Sequence, residues 1–155
     1  MTTIQAINNW TPKLEKALVD SYIKEGLKAS GKWEKSLHTT VITTATGYKI
    51  TSYAANHHEF MVNGRGANKK QSKEDIRKWV GWAGSTILKD WVKDKGLKIN
   101  PYAVAYKIAR EGINVPNRFN QGDFVEKAIT PSLLNDLTKA ATADINNINF
   151  IKQWQ

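Results

Sequence analysis

The sequence predicts an α+β fold: a long N-terminal helix, a small antiparallel β-hairpin sheet and several packed C-terminal helices. Three observations predict it. Apolar side chains recur at helical spacing from Leu14 to Leu27. A run dense in β-branched residues and tyrosine follows, HTTVITTATGYKITSY. Cap and stop signals then punctuate the rest of the chain.

Thr11-Pro12 reads as an N-cap followed by the first helical position, where the missing proline N–H does no harm. Leu14, Ala17, Leu18 and Tyr22 form a stripe that Val19, Ile23 and Leu27 widen, so the first helix is expected over Pro12–Ala29, stopped by Ser30-Gly31. Thr46-Gly47 divides the β-rich run into strands at His38–Ala45 and Tyr48–Tyr53. A short helix fits Ala54–Val62. Asn63–Gln71 (NGRGANKKQ) is Gly-rich and basic, and reads as an exposed loop.

Ser72 is placed to cap the next helix, with Glu74 and Asp75 in its first turn and Ile76, Trp79, Val80 and Ala83 as its apolar face. Gly81 and Gly84 weaken the middle, so one long helix and two shorter ones are equally compatible. Ile87, Leu88, Trp91 and Val92 carry the spacing on to Lys95, where Gly96 is a stop. These faces assign Trp79 and Trp91 to the core. Asn100-Pro101 repeats the cap-then-proline signal, and Tyr102, Ala105, Ile108 and Ala109 form a face that ends at Gly112, expected to be left-handed. Ile113–Gly122 is a loop. Asp123 with Glu126 resembles a capping box. Pro131 kinks or restarts the helix that follows, with Thr130 as its cap and Leu133, Leu134, Leu137, Ala140 and Ala141 on its face.

The 155 residues, 41% hydrophobic and 24% charged, suit a single domain with residues 1–10 and 143–155 as extended arms. No run of about 18 apolar residues is present, which excludes a membrane-spanning helix. The first ten residues lack the basic and apolar regions of a secretory signal. With no cysteine, disulfides, thiolate-bound metals and thiol catalysis are excluded. The net charge of +9 attracts polyanions without naming one.

His57-His58-Glu59 is the one dense His/carboxylate cluster, but neighbouring histidines point about 100° apart on a helix, and His38 is isolated. No metal or cofactor is expected. Gly64-Arg65-Gly66 with Lys69-Lys70 lacks the spacing of a P-loop or a dinucleotide fingerprint. No nucleophile elbow is present, so the chain is not expected to be an enzyme. Arg65–Lys98 holds ten basic against four acidic side chains, interleaved with Trp79, Trp82 and Trp91. That pattern admits a basic nucleic-acid-binding module.

Three segments, in order, resemble the neck or tail-completion proteins of tailed bacteriophages. Ser30–Val41 is similar to the Thr-Gly-x-Leu-x-x-Ser passage of that family through Gly31, Trp33 and Ser36, with Ser30 in place of Thr and Trp33 in place of Leu. Ser52–Lys70 is similar to a Tyr-Ala…Glu…Gly-Arg passage through Tyr53, Ala54, Glu59, Gly64 and Arg65. Trp91–Ile129 is similar to a Trp-Val-x-x-Lys-Gly element and an Ala-Tyr-x-Ile-x-Arg-x-x-Gly element, through Trp91, Lys95, Gly96, Tyr106, Ile108, Gly112 and Phe119. The resemblance spans about Pro12 to Leu137. It implies a non-catalytic virion protein, assembled in the host cytoplasm. Identical subunits would close into a ring joining the capsid portal or adaptor to the tail, without a membrane. The hairpin and the Asn63–Gln71 loop are the expected contact elements, with Ser36, Tyr48, Tyr53, Glu59, Gly64, Arg65, Lys69 and Lys70 as interface candidates. Because a neck surrounds the DNA passage, Lys73, Arg77 and Lys78 are candidates for non-specific DNA contact.

Overall fold

The computed structural model describes residues 2–55, 58–68, 71–139 and 142. Its elements run α1 (Thr3–Lys24), α2 (Lys32–Ser36), β1 (His38–Thr44), β2 (Gly47–Tyr53), α3 (His58–Asn63), α4 (Lys73–Ser85), α5 (Ile87–Asp94), α6 (Pro101–Glu111) and α7 (Phe124–Ala128). Residues 131–139 are also helical. This is the α+β class that the sequence predicts, with the long helix, the hairpin and the later helices in the expected order and the short α2 in addition. No helix among the described residues is long and apolar enough to cross a membrane.

The chain forms two compact units, each discontinuous in sequence. One comprises Met1–Lys24, Ser36–Ala54 and Asp123–Gln155; the other comprises Glu25–Lys35 and Ala55–Gly122.

The first unit is built on α1, which packs on α7 and reaches β1. The helix begins nine residues before the expected Pro12, so residues 3–10 are helical. Thr2 and Gln5 make a capping box: Gln5 N–H donates to Thr2 Oγ1 at 3.4 Å, and Thr2 N–H donates to Gln5 Oε1 at 2.9 Å. Ile7 and Trp10 are buried and extend the Leu14, Leu18 and Tyr22 stripe backwards. Pro12 therefore lies inside the helix, where it cannot donate to Asn8 O. The Thr11 hydroxyl donates to that carbonyl instead, at 3.2 Å. The helix ends at Lys24 rather than Ala29. Trp10 Nε1 donates to Leu133 O at 2.7 Å, and Ser21 Oγ donates to Phe124 O at 2.7 Å. Tyr22 meets Phe124 edge to face, with ring centroids 6.2 Å apart.

The hairpin pairs His38 with Tyr53 and Thr44 with Gly47, so Ala45-Thr46 form the turn. At α7 the expected capping box is absent: Asp123 makes no side-chain cap and pairs with Lys127 Nζ at 3.0 Å. Thr130 does cap the stretch 131–139, accepting from Leu133 N–H at 3.3 Å. The expected arm at 143–155 and the positions Ala140 and Ala141 lie outside the described residues.

The second unit is organised by α4 and α6. Ser72 Oγ accepts from Asp75 N–H at 3.1 Å, and Asn100 Oδ1 accepts from Tyr102 N–H at 2.9 Å, so both predicted caps are present. Of the two readings allowed for Ser72–Lys95, the broken helix is realised, but the break is at Thr86, not at Gly81 or Gly84. Gly84 has another use. A Cβ there would overlap the Tyr102 ring, so the missing side chain lets α6 approach. Leu97 N–H donates to Val92 O and Gly96 N–H to Lys93 O, the paired bonds that close α5 at the predicted stop. Trp91 is not core: it is exposed, and Val92 is the buried residue of α5. Among the described residues of this unit the largest fully buried side chain is Trp33, on the unexpected α2.

Candidate functional site

The expected interface candidates divide between the two units. Ser36, Tyr48 and Tyr53 belong to the first, with the hairpin. Tyr53 is exposed and stacks on His38, with centroids 5.2 Å apart, and the His38 ring nitrogen Nδ1 lies 3.0 Å from Ser36 O. Tyr48 and Ile42 are exposed near the turn. Among the described residues, β1 and β2 pair only with each other, so the outer edge of each strand is unpaired.

Glu59, Gly64 and Arg65 belong to the second unit. Glu59 is exposed in the first turn of α3. The loop after α3 is not the exposed segment expected, because Gly64 and Asn68 are buried. Arg65 and Ile113 form an antiparallel bridge: Arg65 N–H donates to Ile113 O at 2.8 Å, and Ile113 N–H donates to Arg65 O at 2.7 Å. Asn68 N–H donates to Ala109 O at 2.7 Å, at the end of α6. Polar backbone, not apolar anchoring, fixes this segment. Arg65 Nη2 donates to Asn68 Oδ1 at 2.7 Å, and the guanidinium lies over the Trp79 ring, 4.2 Å from its centroid. Burial lowers the Arg65 pKa from its ordinary value. The predicted stop at Gly112 is real, but its φ of 77° and ψ of −166° are not the left-handed helical pair expected. A Cβ there would collide with Arg65 O and Ala67 N, so Gly112 opens the space the loop occupies. Lys69 and Lys70 lie outside the described residues.

Lys73, Arg77 and Lys78 all lie on α4 but do not share a face. Lys78 pairs with Glu74 at 2.8 Å on the outer surface. Lys73 and Arg77, at i and i+4, lie on the flank of Gly84, and neither has an ion-pair partner among the described residues. Two contacts make α4 and α6 antiparallel: Asn68 with Ala109 at one end, Gly84 with Tyr102 at the other. The flank that joins Gly84 to Tyr102 therefore also gathers Lys73, Arg77, Tyr106 and Arg110. Tyr102 is 47% exposed and Tyr106 55% exposed. Arg110 pairs with its neighbour Glu111; the bond raises the Arg110 pKa and lowers that of Glu111. This face is invisible at the level of sequence windows, since Arg77 and Tyr106 are separated by a whole helix and two turns.

Charge follows the same division. By sequence, the second unit holds 16 basic and 8 acidic side chains, the first 7 and 6, so +8 of the net +9 falls on the second. His58 stacks on Trp33 at 6.2 Å, and His57 lies outside the described residues. No group of three His, Asp or Glu able to hold a metal occurs among the described residues. Compared with known proteins, the chain significantly matches no family model, no curated protein and no solved structure.

Proposed function

We propose that the protein is a non-catalytic structural subunit of a phage neck or tail, one copy in a ring joining the capsid portal or adaptor to the tail. The observation that carries this reading is the hairpin. A two-stranded sheet is a small one to stand in water; among the described residues β1 and β2 pair only with each other, which leaves both outer edges unpaired, and they expose Ile42, Tyr48 and Tyr53. An exposed edge is a template for pairing with another chain. In a ring, one face of each copy meets a different face of the next, and closure consumes both. The order of segments along the chain, resembling the neck family from Ser30 to Ile129, agrees with that use. The site of action is then the virion, with assembly in the host cytoplasm.

The test is assembly. Sedimentation velocity of the purified chain is expected to show a closed oligomer at micromolar concentration. An antibody against the chain is expected to decorate the head–tail junction of particles that carry it. Ile42→Asp with Tyr48→Asp should shift the oligomer to monomer while leaving the melting temperature within a few degrees. A monomer at every concentration, together with no label at the junction, would sink the proposal.

A further inference from the structure

We infer that the flank of the α4–α6 pair carrying Lys73, Arg77, Tyr102 and Tyr106 is a binding face for single-stranded nucleic acid. This does not rest on the assembly reading, which concerns the hairpin of the other unit.

Charge complementarity selects the class of partner. The unit that bears the face carries 16 basic against 8 acidic side chains. Lys73 and Arg77 are exposed cations without an ion-pair partner among the described residues. Such groups displace condensed counterions from a polyanion, and the release of those ions drives binding. The tyrosines select within that class. Tyr102 and Tyr106, at i and i+4, present adjacent rings on the flank that carries the cations, about half exposed. The Tyr102 ring is laid against the bare backbone of Gly84, which fixes its position. One fixed ring and a second, exposed ring on the flank that carries the cations offer stacking platforms to unpaired bases, whose faces a duplex conceals.

The outer surface of α4 is the competing choice, because Trp82 is 55% exposed there. It is worse suited. Lys78, one turn before Trp82, is already committed to Glu74, and Asp75 lies on the same side. That surface is acidic on balance, so phosphates would be repelled from the ring.

Fluorescence anisotropy with a labelled oligothymidine of 20 nucleotides, against a mixed-sequence duplex of equal length, tests the assignment on the full chain. In about 50 mM salt the single strand should bind at least ~10-fold more tightly than the duplex, with affinity falling steeply as salt rises. Tyr106→Ala should weaken the single-strand complex by about 5- to 100-fold, and Tyr106→Phe should restore most of it. Arg77→Gln should weaken binding and flatten the salt dependence by about one counterion. Lys78→Gln, on the outer surface, should match the wild type. Circular dichroism of each variant confirms that the fold is kept; Tyr106 and Arg77 are exposed, so their replacement removes no core contact. Equal or tighter binding of duplex, no binding at low salt, or an equal loss from Lys78→Gln and Arg77→Gln would each overturn the inference.

Discussion

Gly112 shows how one residue can hold two segments together. It ends α6, and its backbone passes so close to Arg65 and Ala67 that a methyl group cannot fit. Its φ of 77° with ψ of −166° lies in a region almost confined to glycine. Two penalties therefore add in Gly112→Ala: backbone strain of about 1–3 kcal/mol and displacement of the Arg65–Ile113 bridge. Urea denaturation should show a loss at the upper end of that range or beyond it. Gly66 sits between Arg65 and Ala67 in that loop, yet a Cβ built on it would meet nothing within 4 Å, so Gly66→Ala should change stability by less than about 0.5 kcal/mol. Equal effects at the two positions would mean that the bridge contributes nothing. The cap at Ser72 is a plainer case. Its hydroxyl satisfies Asp75 N–H, and Ser72→Ala should cost about 1 kcal/mol by the same measurement.

Among the elements, α1 is the instructive one. Thr11-Pro12 carries a helix-start signal that tertiary packing overrides. Thr2 and Gln5 supply a competing capping box, and Ile7 and Trp10 bury a face that only an earlier start can create. Proline within a helix is destabilising by about 3 kcal/mol relative to alanine, partly through the lost bond to the carbonyl four residues back. Here Thr11 takes over that carbonyl, so Pro12→Ala should raise stability by about 1–3 kcal/mol in thermal or chemical melts. A loss instead would show that Trp10 and Leu14 need the proline's bend to seat together. The caps of α4 and α6, the stop after α5 and the hairpin were legible because each depends on residues within one turn of one another. The clamp of Arg65 on Ile113 was not, because partners 48 positions apart leave no periodic trace. Nor was the Tyr102–Tyr106 face with Arg77, which exists only once Gly84 lets α6 lie against α4. Trp91 was misread for a related reason: α5 satisfies helical spacing, yet only Val92 on it finds a buried place.

At the scale of the whole molecule, the uneven charge sets how the protein responds to salt. A net charge of +9 would be unremarkable if spread evenly, but +8 of it lies in the unit formed by Glu25–Lys35 and Ala55–Gly122. Like charges confined to one small body repel one another more in the folded than in the expanded chain. The Debye length falls from about 30 Å at 0.01 M salt to about 8 Å at 0.15 M, so that repulsion is screened over the same range. The melting temperature should therefore rise as sodium chloride is added from 0.01 to 0.15 M. Lys98→Glu probes the charged unit directly, because Lys98 is exposed and has no ion-pair partner among the described residues. At low salt this variant should melt above the wild type, and the gain should vanish at 0.15 M. Lys49→Glu removes the same charge from the hairpin of the nearly neutral unit, where little repulsion exists to relieve. It should leave the low-salt melting temperature unchanged within about 1 °C, a shift worth only a few tenths of a kcal/mol in a domain of this size. If Lys49→Glu stabilised as much as Lys98→Glu, the repulsion would belong to total charge and not to its confinement in one unit. If neither did, and salt had no effect, the cations of the second unit would already be neutralised by partners, and the face offered to nucleic acid would be correspondingly weaker.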